Sequence, residues 1–271
     1  MKIAPLIANA RMYAINPAVA AAWRALLEWV AARAEVPLDV IDYPAPAPLP
    51  ALWSRTDAAC VFMCGYPLSL AQPQPRVLAA PVPSPPSYAG RPEYWTDIIV
   101  RTDSKIARLE DTFGKRFAFT TADSQSGYQA PRLLFARHAH GAHLFAATVG
   151  PLVTPRRVVD AIIEGDADAG PLDSYVHALL RYHEPEVASR WRVVTATPPT
   201  PIPPLVAAPG LPDGTVQRIT GALLAVATAA ALEAIRATLQ LQGFVPAAAD
   251  DYRVLRTGAQ QADNLGYPRL A

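Results

Sequence analysis

The side chains best placed to do chemistry fall in one stretch, residues 117–129, FAFTTADSQSGYQ. A short apolar run, Phe117 to Phe119, gives way to Thr120, Thr121, Asp123, Ser124, Gln125, Ser126 and Gly127, and then Tyr128, Leu133 and Leu134 resume at helical spacing. That order predicts a strand, a turn of small hydroxyl residues and a helix N-terminus. A helix opening there presents unpaired backbone N–H groups and the positive end of its dipole beside the Ser124 and Ser126 hydroxyls, an arrangement that can hold an anion. Pro131 fits the first turn, where its missing N–H removes no intrahelical bond. The same serines can equally be plain helix caps, a frequent use of serine.

Other chemistries have weaker support. His138, His140 and His143 form the densest imidazole cluster, a potential divalent-cation site. No nearby Cys or carboxylate completes a tetrahedral set, Gly141 reads as a helix C-cap, and no metal is expected. Nucleophilic catalysis by Ser124 or Ser126 needs a histidine in reach and an orienting acid, and neither serine sits in a Gly-x-Ser-x-Gly elbow. No catalytic residue and no cofactor is assigned. His177 and His183 read as helix-surface residues. Asp173 reads as an N-cap, alone or with its second oxygen turned to a ligand. Tyr13 and Tyr66 are either packing residues or walls of a cleft.

The elements that must position these groups alternate between strand and helix. Strands are predicted at 3–8, 38–41, 58–63, 77–82, 94–101, 144–149, 168–171, 193–197 and 205–208. Asn16 with Pro17, and Thr154 with Pro155, are N-cap and first-position pairs opening helices, the second closed by Gly165. Two final helices are expected within 216–227 and 231–241, with 221–232 a buried Ala-rich helix. This alternation predicts α/β layers with mostly parallel sheets, whose ligand sites lie beyond strand carboxyl ends. Tyr13, Tyr66, Ser124, Ser126, Thr154 and Asp173 all fall at such positions, so one cleft can collect them.

Composition narrows the function. The 271 residues, 51% hydrophobic and 17% charged, can bury a substantial core in one domain or two. A net charge of +1 without a long basic run argues against nucleic acid as a partner. Cys60 and Cys64 are four apart in one apolar run, roughly 13 Å along a strand and too far for a disulfide, so both are expected as buried free thiols. No run reaches the roughly 18 apolar residues a membrane helix needs, and direct membrane insertion is not expected. Met1 to Leu6 run into strand-like sequence without a signal peptide, which predicts a cytoplasmic chain, or a periplasmic one whose signal has been removed.

With these residues in place the chain resembles the phosphate/phosphite/phosphonate-binding proteins of ABC importers, a branch of the type 2 periplasmic-binding-protein-like fold. The resemblance rests on the strand ending near Tyr13, the Cys64-Gly65-Tyr66-Pro67 turn, Asp123-Ser124-Gln125-Ser126-Gly127, Glu164-Gly165-Asp166-Ala167-Asp168 leading to Asp173, and Gly266-Tyr267-Pro268. It implies two α/β lobes with a ligand cleft between them: 1–98 plus 204–271, and 99–203, with hinge crossings near 98–101 and 196–203. It also implies that Ser124, Gln125, Ser126, Gly127 and Tyr128 cradle a small anion, with the backbone amides of Gly127 and Tyr128 as donors. Tyr13 and Tyr66 would then wall the cleft, Thr154 would add a hydroxyl, and Asp173 would meet a donor on the ligand. The partners implied are a phosphonate-, phosphite- or phosphate-like ligand and, if the chain is exported, the membrane subunits of an ABC importer. Where the family often has a histidine before the helix that starts at Thr154, this chain has Gly150-Pro151-Leu152-Val153. A sulfonate, a carboxylate or a small zwitterion fits the same turn, and a cytoplasmic cofactor-biosynthesis enzyme or a ligand sensor fits the same scaffold.

Overall fold

The structure is a computed structural model that describes residues 5–271. The chain forms two compact units, one of the chain up to Glu93 with Pro201–Tyr252, the other of Tyr94–Thr200 with Arg253–Ala271. In chain order the elements begin with β1 (Leu6–Asn9), α1 (Pro17–Ala34), β2 (Leu38–Val40), α2 (Leu49–Trp53), β3 (Ala58–Phe62), α3 (Gly65–Leu70), β4 (Arg76–Pro83) and β5 (Glu93–Tyr94). They continue with β6 (Thr96–Arg101), β7 (Arg116–Ala118), α4 (Ala130–Ala139), β8 (Ala147–Val149), α5 (Pro155–Glu164), β9 (Ala169–Asp173), α6 (Ser174–His183), α7 (Pro185–Ala188) and β10 (Trp191–Ala196). Last come β11 (Thr200–Pro201), β12 (Leu205–Ala207), α8 (Asp213–Ala225), α9 (Glu233–Thr238), β13 (Leu241–Val245) and α10 (Arg253–Asn264).

The first unit is built on a mixed sheet in the order β13-β4-β12-β3-β1-β2. β1 runs parallel to β2 and β3, while β12 and β13 enter antiparallel. All five residues of β3 are buried, as expected of a continuous apolar run covered on both faces. α1 starts where the sequence predicts, with the Asn16 side chain accepting from the Val19 amide, and buries Val19, Trp23, Leu26, Leu27 and Val30. Trp23 and Tyr13 both meet Phe62 edge-on, at 5.0 and 5.1 Å between ring centroids.

The second unit has the sheet order β10-β6-β9-β7-β8, with β7 parallel to β8 and β9 and β6 antiparallel to β9 and β10. Phe117, Phe135 and Phe145 form a ring cluster under it, with centroids 4.6 to 5.0 Å apart. Such aromatic pairs add about 0.5–1.5 kcal/mol each beyond buried area. This cluster ties the strand before the serine turn to the helix after it.

The structure departs from the sequence reading in several places. Arg253–Ala271 belongs to the second unit, not to the lobe that carries the preceding segment. The cause is α10, whose Leu255, Ala259 and Ala262 are buried, together with the Arg132 guanidinium, which binds the Asp263 carboxylate (2.6 Å) and the carbonyls of Ala259 (2.8 Å) and Tyr267 (3.0 Å). Residues 98–101 are no crossing but part of β6; the chain passes between units at Glu93/Tyr94 and Thr200/Pro201, where β5 and β11 pair, and again at Tyr252/Arg253. The segment 221–232 is not one helix, because α8 ends at Ala225 and two 3-10 turns follow. β13 lies so close that a Cβ on Gly243 would stand 2.6 Å from the Ala227 Cβ, and Arg236 binds the Val226 carbonyl at 3.2 Å. Among the described residues no single helix is long and apolar enough to cross a membrane, the segments around this break being bent by 77°. β13 starts at Leu241, where the span read as the last helix ends, and pairs with β4. Ile3 and Ala4 of the first predicted strand lie outside the described residues.

Candidate anion-binding site

The serine turn leaves the carboxyl end of β7. After Phe119, whose amide bonds the Val149 carbonyl at 3.0 Å, the chain turns through Thr120–Ser124 and enters one turn of π-helix, Gln125–Gln129, that continues into α4. Single π-turns often mark functional positions in helices. Ser124 is the N-cap, its Oγ accepting from the Gly127 amide at 3.0 Å. The Gly127 N–H is therefore occupied by Ser124 and is not a spare donor, a correction to the sequence reading. The Ser124 hydroxyl accepts in that bond and keeps its own proton to donate, so capping and ligand binding are compatible. The Ser126 and Tyr128 amides lie in the first turn, where N–H groups have no intrahelical acceptor.

Gly127 is required by space. A Cβ there would fall 1.9 Å from Thr120 Oγ1 and 2.9 Å from Thr120 Cβ and Cγ2. Thr120 joins two loops: its amide donates to the Gly127 carbonyl (3.3 Å) and its carbonyl accepts from the Val153 amide (3.1 Å). Its buried hydroxyl has no hydrogen-bond partner among the described protein groups. The second loop is strained. Val153 has φ +70°, and the Thr154 amide reaches back to the Leu152 carbonyl at 2.8 Å, a γ-turn of the rare positive-φ kind, unusual for a β-branched residue. Thr154 then caps α5, its hydroxyl accepting from the Arg157 amide at 3.3 Å.

Asp173 ends β9 and caps α6. Its Oδ1 accepts from the Tyr175 (2.8 Å) and Val176 (3.1 Å) amides, and its Oδ2 lies 3.4 Å from Ser126 Oγ. Burial, helped by the nearby charge of Asp97 and opposed by these hydrogen bonds, pushes its carboxyl up to about 7. The structure thus brings Ser124, Ser126, Gly127 and Asp173 together, with Gln125 buried beneath the turn. The Tyr128 hydroxyl accepts from the Leu270 amide (3.1 Å), and its ring meets Phe119 edge-on. Tyr13 and Tyr66 belong to the first unit: Tyr13 is 1% exposed against Phe62, and Tyr66 is half-buried in the first turn of α3.

Several participants escaped the sequence reading. The Thr96 hydroxyl donates to the Ser126 carbonyl at 3.0 Å, steadying the turn from β6. His177 is buried, not on the helix surface, and its Nδ1 lies 2.7 Å from Asp97 Oδ2. The signal for it was present: four residues past an N-cap aspartate, His177 shares that residue's helix face. At the other cluster, His140 rather than Gly141 is the left-handed C-cap of α4, and His138 packs against Phe113. Among the described residues no group of three or more His, Cys, Asp or Glu side chains is placed to hold a metal. Cys60 and Cys64 are free and buried, and burial pushes the Cys60 thiol up to about 12.

Two α/β units on a discontinuous chain, each a mixed sheet flanked by helices, define a periplasmic-binding-protein-like fold. Residues 15–252 match the family described as ABC transporter, phosphonate, periplasmic substrate-binding protein, and the chain belongs to that family. Among solved structures it is similar to a binding protein component of an ABC phosphonate transporter from Pseudomonas aeruginosa (TM-score 0.82, 19% identity, 96% of this chain and 87% of that one). It is also similar to PhnD1 from Prochlorococcus marinus in complex with methylphosphonate (TM-score 0.79, 17% identity, 95% and 98%). A Xanthomonas citri protein bound to ATP shares the fold at TM-score 0.68 and 20% identity, over 97% of this chain and 98% of that one. No curated protein matches the sequence.

Proposed function

We propose that this substrate-binding protein takes a small tetrahedral phosphorus oxyanion, phosphonate- or phosphate-like, at the serine turn of its second unit. In this reading it works in the periplasm and passes the ligand to the membrane subunits of an ABC importer. The observation that carries the reading is the turn itself: a helix N-terminus with Ser124 and Ser126 at its mouth and Ser126 Oγ 3.4 Å from a buried carboxyl. The Ser124 and Ser126 hydroxyls and the first-turn amides supply donors, and the helix dipole favours the negative charge. The unpartnered Thr120 hydroxyl and the Thr154 cap lie on the loops that flank this turn and add donor capacity.

Thermal unfolding with methylphosphonate, phosphite and phosphate, against sulfonates and carboxylates, tests the reading. A ligand at 100 times its Kd stabilises by about 2.7 kcal/mol, a shift of several degrees. Ser126→Asp puts a carboxylate where the anion sits, and is expected to remove the shift. Undiminished stabilisation of that variant by the same ligand would sink the assignment.

A further inference from the structure

The π-turn leaves one of its own carbonyls without a helical donor. In that turn the Gln129 amide bonds the Ser124 carbonyl at 3.0 Å and the Ala130 amide bonds the Gln125 carbonyl, each reaching back five residues. The next donor in this register would be residue 131, which is Pro131 and has no N–H. The Ser126 carbonyl is therefore orphaned by the sequence itself, and a carbonyl held away from water needs a partner from elsewhere. Thr96 supplies it: its Oγ1 donates at 3.0 Å, from a residue that is 1% exposed.

The sheet fixes Thr96 for this task. Thr96 pairs with Asp173 across β6 and β9, so the two side chains share one face of the sheet. Thr96 Oγ1 meets the Ser126 carbonyl and Asp173 Oδ2 lies 3.4 Å from Ser126 Oγ, so these neighbours on two strands grip Ser126 by both of its polar oxygens. On its other side the Thr96 amide donates to Thr197 Oγ1 at 3.0 Å, and the Thr96 carbonyl accepts from the Thr197 amide at 2.9 Å. The Thr96 backbone is thus tied to both flanking segments, and its hydroxyl proton is left for Ser126.

The bond does more than fill an acceptor. The Ser126 carbonyl and the Gly127 N–H belong to one planar trans peptide group and point in opposite directions from it. The Gly127 N–H donates to Ser124 Oγ at 3.0 Å. A carbonyl only accepts and an amide N–H only donates, so every proton in the chain has a fixed direction, from the Thr96 hydroxyl to the Ser126 carbonyl and from the Gly127 amide to Ser124 Oγ. At the end stands the Ser124 proton, which has no acceptor among the described residues. Hydrogen bonds linked head to tail in this way strengthen one another, by about 10–30% per bond. We propose that Thr96 is a positioning residue of the anion site, acting through the Ser126–Gly127 peptide group to turn the Ser124 hydroxyl outward and strengthen it as a donor to the ligand. This rests on the serine turn being the anion site. A chain that ends in a donor takes an acceptor oxygen, so at this corner it selects an oxyanion oxygen over an ammonium group, which has no lone pair to offer.

Thr96→Val keeps the β-branched shape and removes the hydroxyl, while Thr96→Ser keeps the hydroxyl and removes the methyl group. Calorimetric titration of the full chain with methylphosphonate is expected to show an affinity loss of about three- to tenfold in Thr96→Val, the usual weight of one neutral hydrogen bond. Thr96→Ser should stay within about twofold of the wild type, since the donor is retained. Ser124→Ala removes the end of the chain. In that background Thr96→Val should cost less than about twofold more, because nothing is left for it to polarise. Amide NMR of the ligand-free protein reads the middle of the chain: the Gly127 amide resonance should move in Thr96→Val and return in Thr96→Ser. An equal loss from Thr96→Val with and without the Ser124 hydroxyl overturns the proposal, because it marks a turn displaced as a whole. A loss in Thr96→Ser as large as that in Thr96→Val does so too, since it marks packing by the methyl group, and so does a Gly127 resonance unmoved in Thr96→Val. Should Thr96→Val fail to fold, Thr96→Cys, whose thiol is a weak donor, takes its place in the same cycle with the same outcomes. Absence of methylphosphonate binding in every protein, with the Gly127 resonance still moving, overturns the phosphonate reading and not the role of Thr96.

Discussion

At the scale of single residues, Asp173 carries opposed demands. As an N-cap it accepts two amides, which favours the charged form, yet it is 6% exposed, and burial pushes its carboxyl up to about 7. The unfolded chain gives up this proton near pH 4. Between about 4 and about 7 the native state binds more protons than the unfolded one, so this residue's contribution to stability falls as pH rises, by at most about 4 kcal/mol, and is flat outside that window. Asp173→Asn retains a capping acceptor and removes the titration. Urea midpoints are therefore expected to show the variant gaining on the wild type between about pH 4 and about pH 8. Asp57, held low by Arg55, Asp111, held low by the Ala107 and Arg108 amides, and Asp168, held low by Arg116, act in the opposite sense but equally in both proteins. A difference between the two proteins that does not change with pH would mean that Asp173 titrates as an ordinary carboxyl.

At the scale of elements, the serine turn works because strand, turn and helix are locked by contacts that local pattern expresses only in part. Ser124, Pro131, Thr154 and Gly165 were legible because caps and breakers act within a few residues of themselves. Thr96, Thr120 and Asp97 were not, because each acts on a partner that only sheet order brings near, and β6 lies beside β9 through antiparallel pairing that alternation of strands and helices does not encode. The last strand was missed for a related reason: β13 is defined by its pairing with β4, and its LQGFV follows directly on helical sequence. Gly127 could be read as a turn residue, but its reason is the Thr120 side chain packed against its Cα. Gly127→Ala is expected to destabilise by about 1–3 kcal/mol, the usual cost of overpacking, and to displace the turn enough to weaken ligand binding. Adding Thr120→Ala removes the 1.9 Å conflict with Oγ1 and leaves the 2.9 Å approach of Cβ, so the double variant should recover part of the loss. Chemical denaturation of the single and double variants measures this, and strictly additive losses would show that the two residues do not meet.

At the scale of the whole chain, the tail from Arg253 onward bears on the site without being part of it. Arg132, 3% exposed on α4, binds the carbonyls of Ala259 and Tyr267 and the half-exposed Asp263 carboxylate, and its Nε donates to Gln129 Oε1 at 3.0 Å. Gln129 in turn donates from Nε2 to the Ala122 carbonyl at 2.7 Å, inside the loop that leads to Ser124. The C-terminal segment thereby orients the serine turn through one guanidinium and one amide. Arg132→Met keeps the apolar stem but removes the buried donors to the Ala259 and Tyr267 carbonyls and to the Gln129 oxygen, and is expected to cost about 3–5 kcal/mol. Asp263→Asn disturbs only the solvated end of the same array and should cost about 1 kcal/mol or less. Hydrogen exchange resolves where the loss falls: in Arg132→Met the amides of α10, of Tyr267 to Ala271 and of the first turns of α4 should exchange faster, while those of α1 and β3 in the first unit keep their protection. Equal damage from both substitutions would mean that the ion pair, and not the hydrogen bonds to the chain, holds the tail. Faster exchange confined to α10 would mean that the tail does not steady the turn, and the ligand affinity of Arg132→Met should then match that of the wild type.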